Sequence, residues 1–434
     1  MTAYLLERAW VDGRFRDGVL VAVEDGRFTS VTPDADPPRA IPVRGLVVPG
    51  LANTHSHAFH RALRGRTQQG RGTFWSWRDR MYDLAARLDP DSYLALAAAT
   101  YREMAAAGIT SVGEFHYLHH QPDGTPYDDP NELGSVLVEA ARRAGIRITL
   151  LDTLYLSSGF GAPPEGAQVR YSDGSVEAWT ERVDGLVDGG PVRVGAAVHS
   201  VRAVPADALG EVADWVGHRP FHAHLSEQVA ENDGCLTAHG VTPTRLLADH
   251  GLLRATSSLV HATHLTGDDI ALIGGAGAFA AFCPTTERDL GDGVGPSRRL
   301  HDAGARLTLG SDSHAVIDLF EEMRALEMDE RLVTRERGHW AAAELLTAAT
   351  TTGHASLGWD DAGAIAVGRR ADLVVLDAAS PRTAGTGRDE NMVVFAAVAE
   401  DVRRVMADGC WIVEDGDRAA IGRELDEAIG RLWA

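Results

Sequence analysis

Eight short apolar segments, spread through the middle of the chain and separated by Ala-rich stretches of helical length, constrain its fold more than any other feature. They are Leu46 to Asn53, Ile109 to Phe115, Ile146 to Tyr155, Val192 to Val198, Pro220 to His224, Ser258 to His261, Ala278 to Phe282 and Leu307 to Ser311. Asp91 to Ala107, Leu133 to Ala144 and Pro205 to Val216 are among the helical stretches between them. This alternation is the pattern of repeated βα units on a parallel sheet. Eight units close a barrel, and such a barrel carries its chemistry at the carboxyl ends of its strands. A length of 434 residues fits one elaborated barrel.

Both ends of the chain carry shorter strand-like segments with Asp-Gly turns. Tyr4 to Trp10, Val19 to Val23 and Phe28 to Val31 precede a joint with Pro33, Pro37 and Pro38; Ala364 to Val367, Leu373 to Leu376 and Val402 to Val413 follow the barrel. The expected fold is α/β. A barrel over 48–362 carries a small β domain assembled from 1–47 and 363–434, closed by a surface helix from Arg418 to Trp433.

A net charge of −21, from 41 basic and 62 acidic side chains, argues against nucleic acid or an anionic membrane as partner. No window approaches about 18 uninterrupted apolar residues, and the first residues have no signal-peptide character, so a cytoplasmic protein is expected. Cys235, Cys283 and Cys410 have no paired spacing, which fits a reducing compartment. The chain has no lysine at all. Schiff-base chemistry, a P-loop lysine and a lysine-derived metal bridge are therefore excluded.

Polar residues gather at the carboxyl ends of the candidate strands. The first ends in Thr54-His55-Ser56-His57, the fifth in His222-Ala223-His224, the sixth at His261 and the eighth in Gly310-Ser311-Asp312-Ser313-His314. Histidines at i and i+2 of a strand share a face, so His55 and His57 can address one ion. With His224 and Asp312 they supply four ligand atoms suited to one divalent metal, zinc first and iron second. A lone histidine is more often a packed, hydrogen-bonded residue; the joint pattern at strand ends is what points to a metal. Glu227, one helical turn past His224, is placed to shuttle protons, and His261 and Asp312 to share the proton of an attacking water. Hydrolysis at a carbon bearing nitrogen is the class of reaction this set implies.

The segments PGLANTHSH, HLSE, LVHATH, LGSDSH and GAIAVGRRADLVVLD, in that order, resemble the amidohydrolase superfamily. The resemblance implies a distorted (β/α)8 barrel, a β-sandwich domain from both termini and a metal site at the barrel mouth. His199 ends the fourth strand where members with two metals place a lysine, which matches the mononuclear deaminase branch. In that branch His224 is a ligand, Glu227 the proton shuttle and His261 a partner of the water.

A narrower resemblance runs through HSHAFHRALRG, FWSWRDRMY, EFHYLHH, VHSVRAV, HLSEQ and CPTTERDLGDG, which are similar to the formimidoylglutamate deiminases. It implies hydrolysis of N-formimidoyl-L-glutamate to N-formyl-L-glutamate and ammonia in histidine degradation, a small dicarboxylate substrate, and a homodimer. By motif position Arg78 and Arg202 would take the carboxylates, assisted by Tyr117 and His199, with Arg80 competing for the place of Arg78. His60 stands where this family is expected to carry Gln. Another deaminase, acting on a purine, pyrimidine or guanidino compound, is the alternative, followed by a barrel that serves only as a scaffold. CPTTERDLGDG is expected to open a helix capped by Thr285 or Thr286, with no catalytic role. His116, His119 and His120 are expected on the pocket wall or surface, and His314 behind Asp312.

Overall fold

A computed structural model describes residues 1–35, 39–68, 72, 74–414 and 417–434. Pro37 and Pro38 of the expected joint lie outside them. The chain opens with four strands, β1 (Thr2–Val11), β2 (Arg14–Glu24), β3 (Arg27–Thr32) and β4 (Ile41–Pro49). Eight more follow: β5 (Leu51–Ser56), β6 (Ile109–His116), β7 (Arg147–Leu154), β8 (Val192–Val198), β9 (Phe221–Leu225), β10 (Ser257–His261), β11 (Phe279–Phe282) and β12 (Arg306–Leu309). The last three are β13 (Leu373–Leu376), β14 (Val402–Ala407) and β15 (Cys410–Val413).

Strands β5 to β12 pair in chain order, each parallel to the next, with helices between them. The seam closes between β12 and β5. There Thr54 Oγ1 donates to the Leu309 carbonyl at 2.9 Å, and the His55 carbonyl accepts from both Ser311 and Asp312 amides at 3.1 and 3.0 Å. These strands are buried almost throughout, as a parallel sheet between helices and its own filled interior must be.

The terminal segments form one seven-stranded mixed sheet in the order β15-β14-β13-β4-β1-β2-β3. Alternation along β4 and β13 shows how it sits. Val43, Val47, Leu373 and Val375 join a core within the small domain, while Leu46, Val48, Val374 and Leu376 pack into the barrel's core. Buried Arg147 of β7 ties the two parts together, donating to Asp372 and to Asp408 at 2.9 Å. The helix Arg418–Trp433 is amphipathic: Ile421, Leu425 and Leu432 are buried, and the Trp433 indole donates to the Ala62 carbonyl at 3.0 Å.

Two expected strands differ. Leu46 to Asn53 is divided at Gly50: its first part belongs to the small sheet and its second to the barrel. A Cβ on Gly50 would lie 2.3 Å from Thr110 Oγ1 and 2.8 Å from Asp372 Cβ, so only glycine lets the chain pass between the two layers there. The small sheet therefore extends to Pro49, past the boundary expected at 47. Ala364 to Val367 is no strand; it makes turns beside β3, with Val367 exposed. No helix among the described residues is long and apolar enough to cross a membrane.

Candidate active site

His55 lies on β5 and His57 immediately follows that strand. His224 lies on β9, and Asp312 follows β12 in a short loop. One ligand atom from each of the four falls within 4.8 Å of the others. His55 Nε2 is 3.1 Å from His224 Nε2 and 3.2 Å from Asp312 Oδ1, which is in turn 3.3 Å from His57 Nε2. His55 and His57, two residues apart, thus both meet one carboxylate.

The donor set fits a divalent cation. His57 Nδ1 donates to the Phe115 carbonyl at 3.0 Å and His224 Nδ1 to the His199 carbonyl at 2.9 Å, which leaves each Nε2 a lone pair aimed at the cluster. Burial holds His224 well below its ordinary pKa and His55 down at about 4, so neither is charged at neutral pH. Burial alone would raise Asp312, but its setting among the His55, His57 and His261 rings outweighs it and holds the carboxyl well below its ordinary value. Converging lone pairs and an anion repel one another, and a metal ion resolves that repulsion. The backbone here is in the left-handed region at Asp312 (φ 39°), His261 (φ 69°) and Ser226 (φ 52°), conformations that cluster where side-chain direction matters.

His261 ends β10 beside β9, its Nε2 3.7 Å from Glu227 Oε1 and 3.9 Å from Asp312 Oδ2. Burial pulls this imidazole down, yet the Glu227, Glu287 and Asp312 carboxylates outweigh it and lift it to about 10. Burial raises the Glu227 carboxyl above its ordinary value, the direction a group that handles protons needs. Glu227 is not a turn of helix beyond His224 as expected. It precedes the helix Val229–His239, in a short loop that begins with left-handed Ser226, and lines the cavity at the cluster.

A cavity opens onto this cluster. Arg78, Tyr117, His199, Arg202 and His60 all line it, together with Trp77, Met81, Tyr82, Tyr155, Tyr171 and Leu290. Arg78 lies over the Tyr82 ring at 5.6 Å. Arg80 points elsewhere, exposed and 4.0 Å from Asp83. His60 Nε2 meets the Tyr117 hydroxyl at 3.1 Å, and its ring lies 4.6 Å from that of His57.

Several expectations are corrected. CPTTERDLGDG does open a helix, Pro284–Leu290, but neither threonine caps it. The Thr285 amide donates to buried Glu322, and Thr286 bonds to Ser313 in the loop that carries Asp312. The same segment supplies Glu287, which accepts the Cys283 amide hydrogen at 2.9 Å and meets His261 Nδ1 at 3.4 Å. His314 does not support Asp312. Its Nε2 meets Ser56 Oγ at 3.1 Å, and Ser56 in turn donates to Glu114.

His116, His119 and His120 are on neither the cavity wall nor the surface; they are buried with Asp152, Asp173 and Arg182. His116, His119 and Asp152 bring ligand atoms within 4.8 Å of one another. Both Asp152 oxygens are already taken by Arg182, at 2.8 and 2.9 Å, and that guanidinium supplies the positive charge a metal would. Glu287, Tyr155 and Tyr82 escaped the sequence argument. For two of them the signal was positional: Tyr155 immediately follows β7 and Glu287 follows β11, at the end of the barrel where sites form, whereas Tyr82, inside the helix Phe74–Arg87, had none.

The barrel with its ligand cluster at the strand ends defines the class, and residues 46–412 match the amidohydrolase family. The chain belongs to that family. Over the whole of both chains it is 38% identical to the formimidoylglutamate deiminase of Pseudomonas aeruginosa. It is 28% identical to a 5-methylthioadenosine/S-adenosylhomocysteine deaminase of Natronomonas pharaonis, covering 95% of this chain and 93% of that one. Among solved structures, an amidohydrolase from Brucella melitensis superposes with a TM-score of 0.91 at 32% identity over all of both chains. An adenosine deaminase from Xanthomonas campestris with bound zinc gives 0.84 at 23% identity, over 100% and 98% of the two chains, a likeness of fold.

Proposed function

We propose that this protein is a zinc-dependent enzyme that hydrolyses N-formimidoyl-L-glutamate to N-formyl-L-glutamate and ammonia. The observation that carries the reading is a single cavity that joins two arginines, Arg78 and Arg202, to the His55, His57, His224 and Asp312 cluster in a chain of charge −21. A dicarboxylate needs such local positive charge, and guanidinium forks match it. The full-length likeness to a formimidoylglutamate deiminase supports the same substrate.

A zinc ion on those four residues would acidify a water for attack on the formimidoyl carbon. Asp312 Oδ2, 3.9 Å from His261 Nε2, is positioned to accept the proton of that water, and His261, kept charged by its carboxylate neighbours, to donate a hydrogen bond to the attacking oxygen. Glu227, its carboxyl raised by burial, gives a proton to the departing amine, so that ammonia leaves as the C–N bond breaks. Arg78 and Arg202 hold the carboxylates, with Tyr117 and His199 beside them, and so fix the formimidoyl head over the cluster.

Ammonia release by zinc-loaded protein tests this directly, with N-formimidoyl-L-glutamate, N-formimidoylglycine and guanine side by side. Fast release from the glutamate compound alone is the expected result. No release from it, with one ion per chain present, would discard the substrate and keep the family.

A further inference from the structure

Gln168 stands behind the cavity wall and sets the polarity of part of it. Its side-chain oxygen accepts the Glu165 amide hydrogen at 3.2 Å, which turns the amide nitrogen toward two phenols. That nitrogen donates to the Tyr155 hydroxyl at 2.9 Å and to the Tyr82 hydroxyl at 3.1 Å, so both of its hydrogens are committed. Each phenol oxygen is an acceptor in this arrangement and keeps its own hydrogen for another partner. Both rings line the cavity. Burial raises the Tyr155 phenol above its ordinary value, so it remains a donor across the neutral range.

Position selects the partner. The Tyr155 ring centre is 5.1 Å from that of His199, which is 4.9 Å from His224, so Tyr155 lies one ring farther from the metal-ligand cluster than His199 does. In a substrate whose formimidoyl carbon sits at the cluster, the side-chain carboxylate is the group that reaches farthest from it.

We propose that Gln168 is a positioning residue for substrate choice: it presents the Tyr82 and Tyr155 hydroxyls as paired hydrogen-bond donors to the side-chain carboxylate of the substrate. The proposal rests on the function inferred above. A carboxylate in place of the Gln168 amide would accept from both phenols, turn their hydrogens away from the cavity and leave two acceptors facing an anion.

The test measures ammonia release by the zinc-loaded wild type, Gln168→Glu and Tyr155→Phe, on N-formimidoyl-L-glutamate and on N-formimidoylglycine, which lacks the side-chain carboxylate. Each variant should raise KM for the glutamate compound about tenfold or more, the worth of one hydrogen bond to a charged group, with little change in kcat. KM for the glycine compound should stay within about twofold, since that substrate never reaches the phenols. Tyr155→Phe removes one donor without charging the wall, so the test stands even where Gln168→Glu fails to fold. Equal losses on both substrates, a fall in kcat alone, or no change on the glutamate compound would overturn the assignment. A wild-type enzyme that releases no ammonia from the glutamate compound would overturn the proposed function itself, and this assignment with it.

Discussion

The backbone oxygen of His55 accepts the Asp312 amide hydrogen at 3.0 Å, while the His55 imidazole meets the Asp312 carboxylate at 3.2 Å. One residue pair therefore closes the barrel seam and builds half of the ligand cluster. Gly310 makes this approach possible, because a Cβ there would lie 2.8 to 2.9 Å from the Cβ, nitrogen and oxygen of His55. Gly310→Ala must push β5 from β12, at a cost of about 1–3 kcal/mol. It should also lower bound metal below one ion per chain after dialysis, as read by elemental analysis beside urea unfolding. A variant with full metal content and unchanged stability would show that the seam is less tightly coupled to the cluster than these distances require.

Glu227 touches His261 but belongs to no ligand pair in the cluster. Glu227→Gln keeps the shape and removes the transferable proton. Turnover should fall by about 10²–10⁴-fold, the usual worth of a positioned acid, with metal content intact. Rates within a few-fold of the wild type would remove it from the proton path.

Arg202 and Arg80 make a matched pair of tests, since one lines the cavity and the other is exposed beside Asp83. Arg202→Met should raise KM for the dicarboxylate about 10- to 100-fold by removing charge-assisted hydrogen bonds. Arg80→Met should leave KM within about twofold. The reverse ranking in steady-state kinetics would assign the carboxylate to the wrong arginine.

The barrel was legible because eight short strand segments alternate with Ala-rich stretches of helical length, a pattern that needs no tertiary context. The small sheet was legible as an element but not at its edge. Leu46 to Asn53 is one apolar run, and only the crowding around Gly50 shows that it serves two sheets. The ligand candidates lay at strand ends, where position along the chain already implies a shared mouth. Glu287 and Gln168 act instead through partners 26 and 13 residues away, across contacts that no spacing encodes. The buried His119–Asp152–Arg182 cluster was hidden for the same reason: His119 lies in the loop after β6 and Asp152 on the neighbouring β7, while Arg182 returns from the helix Val176–Asp184.

That cluster carries a pH prediction. Buried Asp152 is opposed by desolvation, yet Arg182 outweighs it and lowers the carboxylate from 3.8 to about 2. A folded value under the unfolded one gives stability that is complete above about pH 4 and is lost as pH falls through 2, worth about 2 kcal/mol here. Arg182→Met reverses the sign. Asp152 and Asp173 would stay buried without their guanidinium, desolvation would lift their folded values above the unfolded ones, and stability would be lost as pH rises. At pH 8 the variant should be about 3–5 kcal/mol less stable than the wild type, the usual cost of breaking a buried pair. The gap between their urea midpoints should narrow steadily from pH 8 to pH 4, as the stranded carboxylates take up protons. A gap of constant width across that range would mean that Arg182 stabilises the barrel by packing and not by charge.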